Sequence, residues 1–179
     1  MSGQAGQTAR HQQSPLGMVG AMIVLAVLLL AWLGFRSLTS NDPDSAVRTV
    51  DYAQVVTPAR QAADFGLLAP AGLPTGWRAT SAGFTNTVPQ HWHLGVLTDQ
   101  DRYIGLEQGP ATVSSFVEKY VDERASRTGS AEVAGRRWTT YTDSGGDLAL
   151  VRSDGGAATL VVGHDVSRAT LEGYVAGLR

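Results

Sequence analysis

The longest apolar stretch of the chain lies near its N-terminus, where residues 16–35 read LGMVGAMIVLAVLLLAWLGF. Between Arg10 and Arg36 the chain carries no Asp, Glu, Lys or Arg. A helix of this length, at about 1.5 Å per residue, spans roughly 30 Å, which is the hydrocarbon thickness of a bilayer. The pattern therefore predicts a transmembrane helix over residues 16–36.

A cleaved signal peptide is the alternative interpretation of this run. Signal peptides have an apolar core of about 7–15 residues, followed by small residues at the cleavage site. Here the apolar run is longer, and Gly34–Ser40 contains no clean small-x-small pattern. The chain also has no cysteine, which a lipid-anchored lipoprotein would need. We therefore expect an uncleaved membrane anchor.

The charges beside this helix predict its orientation. Arg10 and the α-amino group precede it, whereas Arg36 is followed by Asp42 and Asp44. This contrast predicts a single-pass protein of the cell membrane, with the N-terminus in the cytoplasm and the C-terminal domain outside. The chain after Arg36 holds all 16 acidic side chains against 12 Lys and Arg, a net charge of −4. It therefore offers no basic surface for nucleic acid.

The rest of the chain divides into three segments. Residues 1–15 are polar and are predicted to be a disordered cytoplasmic tail. Residues 37–65 form a membrane-proximal segment, either with a short helix from Pro58 or as a semi-ordered stalk. Residues 66–179 have the length of one ordinary domain. Without cysteine, this domain must be held together by its core alone.

Apolar periodicity over residues 66–179 predicts an α+β fold. A stripe that includes Phe116 and Tyr120 predicts a helix over residues 112–127, and Ser167 caps a second helix at the C-terminus. Glycine-rich turns separate six predicted strands: 77–85, 91–98, 102–108, 133–142, 147–152 and 157–163. The predicted order is β-β-β-α-β-β-β-α, an antiparallel sheet that two helices cover on one face.

The predicted hairpin over residues 91–107 contains two histidines at strand spacing. Successive side chains alternate between faces, so Trp92 points to the apolar face while His91 and His93 point to the other. The apolar residues of the next strand share a face with Trp92 only if the connecting loop has an odd number of residues. We place this loop at Asp99–Asp101. The resulting register pairs Val96 with Ile104, Leu94 with Leu106, His93 with Glu107, and Gly95 with Gly105.

The histidines of this hairpin could in principle contribute to a metal site. Zinc requires at least three protein ligands, and the register aligns only His93 with Glu107, leaving His91 offset. We therefore expect no metal and no cofactor. The predicted arrangement is a His–Glu pair on a solvated sheet face.

The facing glycines of the same hairpin permit a second kind of site. Paired glycines let a ligand or another backbone approach a sheet closely. They could floor a shallow groove, or a helix or the membrane-proximal segment could pack against them. The rim of such a groove would be His93, Leu97, Tyr103 and Glu107, and the candidate binding residues of the chain are His91, His93, Tyr103 and Glu107.

No sequence motif identifies a catalytic centre. His164, Asp165 and Ser167 are the residue types of a hydrolase triad, but the G-x-S-x-G elbow is missing. Helix capping accounts for Ser167 or Asp165 equally well. Phosphate-binding loops and dinucleotide glycine motifs are also absent from the sequence. We therefore assign no catalytic residue.

Three stretches carry a resemblance to a known family: LLAPAGLPTGW, WHLGVLTDQDRYIGLEQG and GRRWTTYTD…LALVRSDGGAATLVVGHD. Together with the polar tail and the N-terminal membrane helix, they resemble the actinobacterial family called Domain of Unknown Function 4245. The resemblance runs from the membrane helix to the last helix. It implies a membrane-anchored extracytoplasmic domain in high-GC Gram-positive bacteria, and it implies no activity and no catalytic residues.

These observations predict a membrane-anchored, extracytoplasmic binding or interaction domain of the cell envelope. Its expected partners are the lipid bilayer, through residues 16–36, and an envelope protein or small envelope ligand. The alternative is an envelope hydrolase or metal-dependent enzyme that uses the 91–107 hairpin. An enzyme gathers several polar groups in a pocket, whereas a binding module exposes an apolar or aromatic patch.

Overall fold

The computed structural model describes residues 49–179. The predicted tail over residues 1–15 and the predicted transmembrane helix over residues 16–36 lie outside this part. Among residues 49–179, no helix is long and apolar enough to cross a membrane. The described chain forms one seven-stranded antiparallel sheet with three helices. The predicted α+β class and antiparallel sheet are thereby confirmed.

The elements follow one another as helix, three strands, helix, four strands and helix. Their bounds are α1 Ala53–Ala62, β1 Arg78–Thr85, β2 His91–Leu97, β3 Tyr103–Gly109, α2 Val113–Tyr120, β4 Ser126–Val133, β5 Arg136–Thr142, β6 Asp147–Asp154, β7 Ala157–His164 and α3 Arg168–Ala176. The strand order in the sheet is β1-β2-β3-β7-β6-β5-β4. Strands adjacent in the sheet are thus also consecutive along the chain, except where β3 pairs with β7.

Two predicted boundaries in the middle of the chain are wrong. The predicted helix over residues 112–127 ends at Tyr120, and the strand predicted over residues 133–142 begins at Arg136. Ser126–Val133 forms β4, a strand that was not predicted. Strand β4 lies at the sheet edge and is mostly exposed, so no apolar alternation marks it. Its hairpin with β5 turns at Ala134 and Gly135, both at positive φ. Alanine is uncommon at such a position, which conceals the turn in the sequence.

The prediction that both helices cover one face is also wrong. Helices α1 and α3 pack on one face, called here the α1/α3 face. Helix α2 packs on the opposite face, called the α2 face, where Phe116 and Val117 contact β6 and β7. The physical reason lies in β7, where Leu160, Val161 and Val162 are all buried. A continuous apolar run marks a strand covered on both sides.

The register predicted for the β2–β3 hairpin is confirmed at every pair named above. Trp92 is fully buried on the α1/α3 face, and its Nε1 donates a hydrogen bond of 3.0 Å to Leu68 O. The turn is closed by Thr98 N donating to Arg102 O at 2.9 Å. This hairpin therefore presents its histidines on the α2 face.

Candidate functional site

The β2–β3 hairpin brings both histidines to one carboxylate. His93 Nδ1 lies 2.6 Å from Glu107 Oε1, and His91 Nε2 lies 2.8 Å from Glu107 Oε2. Glu107 is only 5% exposed, whereas about 30% of each imidazole faces solvent. The expected His–Glu pair on a solvated face is therefore corrected, because the carboxylate is buried and two histidines share it.

The charges of this cluster stabilise one another. Burial alone would raise the pKa of Glu107, but the electrostatic approach of His91 and the hydrogen bond and charge of His93 outweigh it and lower that pKa. The hydrogen bond to Glu107 raises the pKa of His93, although desolvation opposes the shift. The contact between His93 and Glu107 is therefore a charge-assisted hydrogen bond when the imidazole is protonated.

Ser81 extends the cluster onto the neighbouring strand. Its Oγ lies 2.8 Å from His93 Nε2, the ring nitrogen that faces away from Glu107. A β-bulge between Ala79 and Ser81 places the hydroxyl there. In a regular strand Ser81 would share the face of Ala79, which is in the core. The bulge therefore redirects Ser81 to the histidine side of the sheet.

Helix α2 borders the cluster on the side of β7. Tyr120 Oη lies 2.9 Å from His91 Nε2, and the two rings stack with centroids 5.7 Å apart. Phe116 meets the edge of the same imidazole at 6.4 Å. One ring nitrogen makes one good hydrogen bond, and no described residue offers the buried Glu107 Oε2 a hydrogen bond of good geometry. We therefore assign the His91 Nε2 hydrogen bond to Tyr120 and treat its approach to Glu107 as electrostatic.

Tyr103 lies over the facing glycines. A Cβ atom on Gly95 would fall 3.0 Å from Tyr103 Oη and 2.4 Å from Ser81 Oγ, and one on Gly105 would fall 3.2 Å from the tyrosine ring. The ring thus occupies the space in which the sequence suggested a groove. Tyr103 remains 38% exposed at its outer side. Burial of its inner side raises the pKa of its hydroxyl.

Metal coordination does not describe this arrangement. Within residues 49–179, no three His, Cys, Asp or Glu side chains are placed to hold one ion. His93 Nδ1 and Glu107 Oε1 approach each other at hydrogen-bond distance instead of facing a common point. These two potential ligand atoms are thus hydrogen-bonded to each other.

The side chains of the C-terminal candidate triad hydrogen-bond to other residues and not to one another. His164 Nδ1 is 2.6 Å from Asp147 Oδ1, a hydrogen bond that raises the pKa of His164. Asp165 pairs with Arg102 at 2.8 Å. Ser167 Oγ accepts a hydrogen bond from a backbone N–H in the first turn of α3. Its predicted capping role is confirmed.

The sequence predicted His91, His93, Tyr103 and Glu107 as candidate binding residues, and it did not predict that Ser81 and Tyr120 contact the two histidines. A signal for Ser81 exists in the spacing of core positions in β1. Ala79, Ala82 and Phe84 face the core, so the step from 79 to 82 breaks the period of two and indicates a bulge. Tyr120 was assigned to the apolar stripe of its helix, which gives no indication of its contact with His91.

The family described as "Protein of unknown function (DUF4245)" matches residues 10–178 of the chain. The matched range includes every residue of the cluster. No curated protein matches the chain.

Proposed function

The chain belongs to the DUF4245 family, and from its own residues we propose a membrane-anchored, extracytoplasmic binding domain of the cell envelope. The apolar run over residues 16–36 supports attachment to the bilayer. The charges on either side of that run support a cytoplasmic N-terminus and an external C-terminal domain. The proposed partner is an envelope protein or a small envelope ligand.

The observation that carries the binding proposal is the group of Ser81, His93 and Tyr103 on the α2 face. All three are partly exposed, and together they offer an aromatic ring beside groups that donate and accept hydrogen bonds. Aromatic side chains are enriched at interfaces because they combine apolar area with a polar group. Buried Glu107 holds the His93 ring in position, which reduces the entropy lost on binding.

Site-specific cross-linking in cells tests this proposal. A photo-reactive amino acid replaces Tyr103 in the full-length protein, and a matched control carries it at Ser144, in the exposed turn between β5 and β6. We expect a discrete cross-linked product from position 103 that is lost in the His93→Ala variant. The same product from position 144, or no product from position 103, would overturn the proposal.

A second candidate function is hydrolysis of an envelope ester or amide, which the order Ser81–His93–Glu107 favours. In a serine hydrolase triad the hydroxyl contacts histidine Nε2 and a carboxylate holds Nδ1–H. The corresponding distances here are 2.8 Å and 2.6 Å. These atoms suit attack by a serine hydroxyl on a carbonyl carbon.

The reaction balances with water as the second substrate. Ser81 Oγ attacks the carbonyl carbon while His93 Nε2 takes the hydroxyl proton. Nε2 then gives this proton to the leaving alcohol or amine, and an acyl-serine remains. Water attacks the acyl carbon and passes a proton to Nε2. Ser81 leaves as the alkoxide and regains that proton, and the carboxylic acid is released.

Covalent labelling distinguishes this candidate from simple binding. A fluorophosphonate probe should label the full-length protein at Ser81, and both Ser81→Ala and His93→Ala should abolish the labelling. Ser114→Ala is the matched control, since Ser114 is exposed on α2. Absence of labelling in the unmodified protein would exclude the hydrolase and leave the binding proposal standing on its cross-linking result.

A further inference from the structure

A cavity of about 360 Å³ lies on the α1/α3 face, beside the segment over residues 66–68 and the paired ends of β6 and β7. Gln108 fixes that segment, because its amide accepts from Leu68 N at 2.9 Å and donates to Gly66 O at 2.8 Å. The cavity volume is in the range of small-molecule sites, about 300–1,000 Å³. Its polar lining includes Arg136, Arg152 and Thr159.

Arg152 brings a buried positive charge to this cavity. Its side chain is 11% exposed, and its Cζ lies 5.6 Å from the centroid of the Trp138 ring. Nη2 of the guanidinium donates to Asp154, whereas Nη1 is buried and has no hydrogen-bond partner among residues 49–179. Leaving a buried charged donor unpaired is costly. The guanidinium is therefore suited to an acceptor that enters the cavity.

Two neighbouring features increase the demand for an acceptor. Trp138, on whose ring Arg152 packs, does not line the cavity itself, but its Nε1 is a second buried donor that no described residue satisfies. Arg136 adds another positive charge at the cavity wall, while Asp154 is 70% exposed to solvent. Unsatisfied buried donors are rare in native proteins. An unpaired guanidinium nitrogen at a cavity whose lining has an excess of positive charge is typical of an anion site.

We propose that this cavity binds a small organic anion through its carboxylate or phosphate group. Arg152 Nη1 is the buried donor, and Arg136 supplies the outer charge. The planar guanidinium matches the geometry of both oxyanions, which an ammonium group would not. The cavity and the histidine cluster occupy opposite faces of the sheet, so this site is separate from the binding surface proposed above.

Calorimetric titration of the detergent-solubilised full chain tests the site. Phenyl phosphate and benzoate are titrated at constant ionic strength, and the tighter ligand identifies the preferred oxyanion. We expect saturable binding of at least one, with a dissociation constant of about 1 mM or below. Arg136→Ala should weaken it about ten-fold, as expected for a lost charge-assisted hydrogen bond.

Arg137→Ala is the matched control, because it removes the same charge from the adjacent residue on the opposite face of β5. It should change the affinity by less than about two-fold at moderate salt. Arg152→Met keeps an apolar stem over Trp138 and should abolish binding. If this variant fails to fold, the comparison of the Arg136 and Arg137 variants decides. No saturable binding of either anion, or affinity loss that is equal in those two variants or absent from Arg136→Ala, overturns the proposal.

Discussion

Glu107 is a buried carboxylate whose charge depends on two neighbouring imidazoles. A buried ion without partners would take up a proton. In this chain the contacts with His91 and His93 reverse that tendency and lower the pKa of Glu107. The carboxylate and His93 therefore depend on each other for their charged states.

We predict that the contribution of this pair to stability passes through a maximum with pH. The pKa of His93 is raised above its ordinary 6.5, so its contribution is complete below pH 6.5 and is lost as pH rises through the raised value. The pKa of Glu107 is lowered from 4.5, so its contribution is complete above pH 4.5 and is lost as pH falls through the lowered value. Glu107→Gln should therefore cost most between these two pH values.

Urea unfolding of a fragment of residues 49–179 at a series of pH values measures this difference. The His164→Gln variant is the matched control, because His164 also has a raised pKa but lies outside the cluster. The effect of His164→Gln on the free energy of unfolding should depend on pH in the same way whether position 107 is Glu or Gln. A difference between Glu107→Gln and the unmodified fragment that does not vary with pH would contradict the prediction.

The second prediction concerns the sheet between β1 and β3. An alanine Cβ at position 95 would lie 2.4 Å from Ser81 Oγ, so Gly95→Ala must displace this hydroxyl from His93. We expect a loss of about 1 kcal/mol or more in the free energy of unfolding. In the Ser81→Ala background this hydroxyl is missing. There Gly95→Ala should lower the free energy of unfolding by at least about 0.5 kcal/mol less than it does in the unmodified protein.

Gly83 provides the matched control for this double-mutant cycle. It lies on the same face of β1 as Ser81, and a Cβ atom there would meet no atom of residues 49–179 within 4 Å. Gly83→Ala should therefore change stability by no more than about 0.5 kcal/mol. Strictly additive effects of Gly95→Ala and Ser81→Ala would show that the close approach is relieved by some other movement.

A third prediction concerns helix α2. Phe116 is buried against β6 and β7 and contacts the ring of His91. Phe116→Ala should cost about 3–5 kcal/mol, the range for a buried phenylalanine. The control Ser114→Ala changes an exposed residue of the same helix and should cost at most about 0.5 kcal/mol. A loss below about 1 kcal/mol for Phe116→Ala would mean that α2 does not depend on this contact.

The elements differ in how far the sequence determines them. The β2–β3 register was predictable because alternating apolar residues and a short turn permit one alignment of the two strands. Strand β4 was not, because its side chains are polar at an open edge. The position of Ser81 depends on a bulge, and the contact of Tyr120 with His91 depends on where α2 packs. The spacing of core positions in β1 indicates the bulge, whereas only tertiary packing fixes the contact of Tyr120.

At the scale of the whole molecule, the charges beside residues 16–36 predict that the C-terminal domain is external. Protease added to intact spheroplasts should remove a tag at the C-terminus and spare one at the N-terminus. Lysed spheroplasts are the control, in which both tags should be removed. Protection of the C-terminal tag would reverse the orientation. Release of the domain into the medium without protease would instead indicate a cleaved signal.

The pairing of β3 with β7 has a consequence for the rate of folding. All other strand pairs are hairpins between consecutive strands, which form within about 1–10 μs. Joining β3 to β7 must close a loop that contains α2 and β4–β6, which costs chain entropy before any contact is gained. Leu106→Ala, at this central pair, should therefore slow folding. Val133→Ala, in the β4–β5 hairpin, should mainly accelerate unfolding, so stopped-flow kinetics would locate the rate-limiting step in the middle of the sheet.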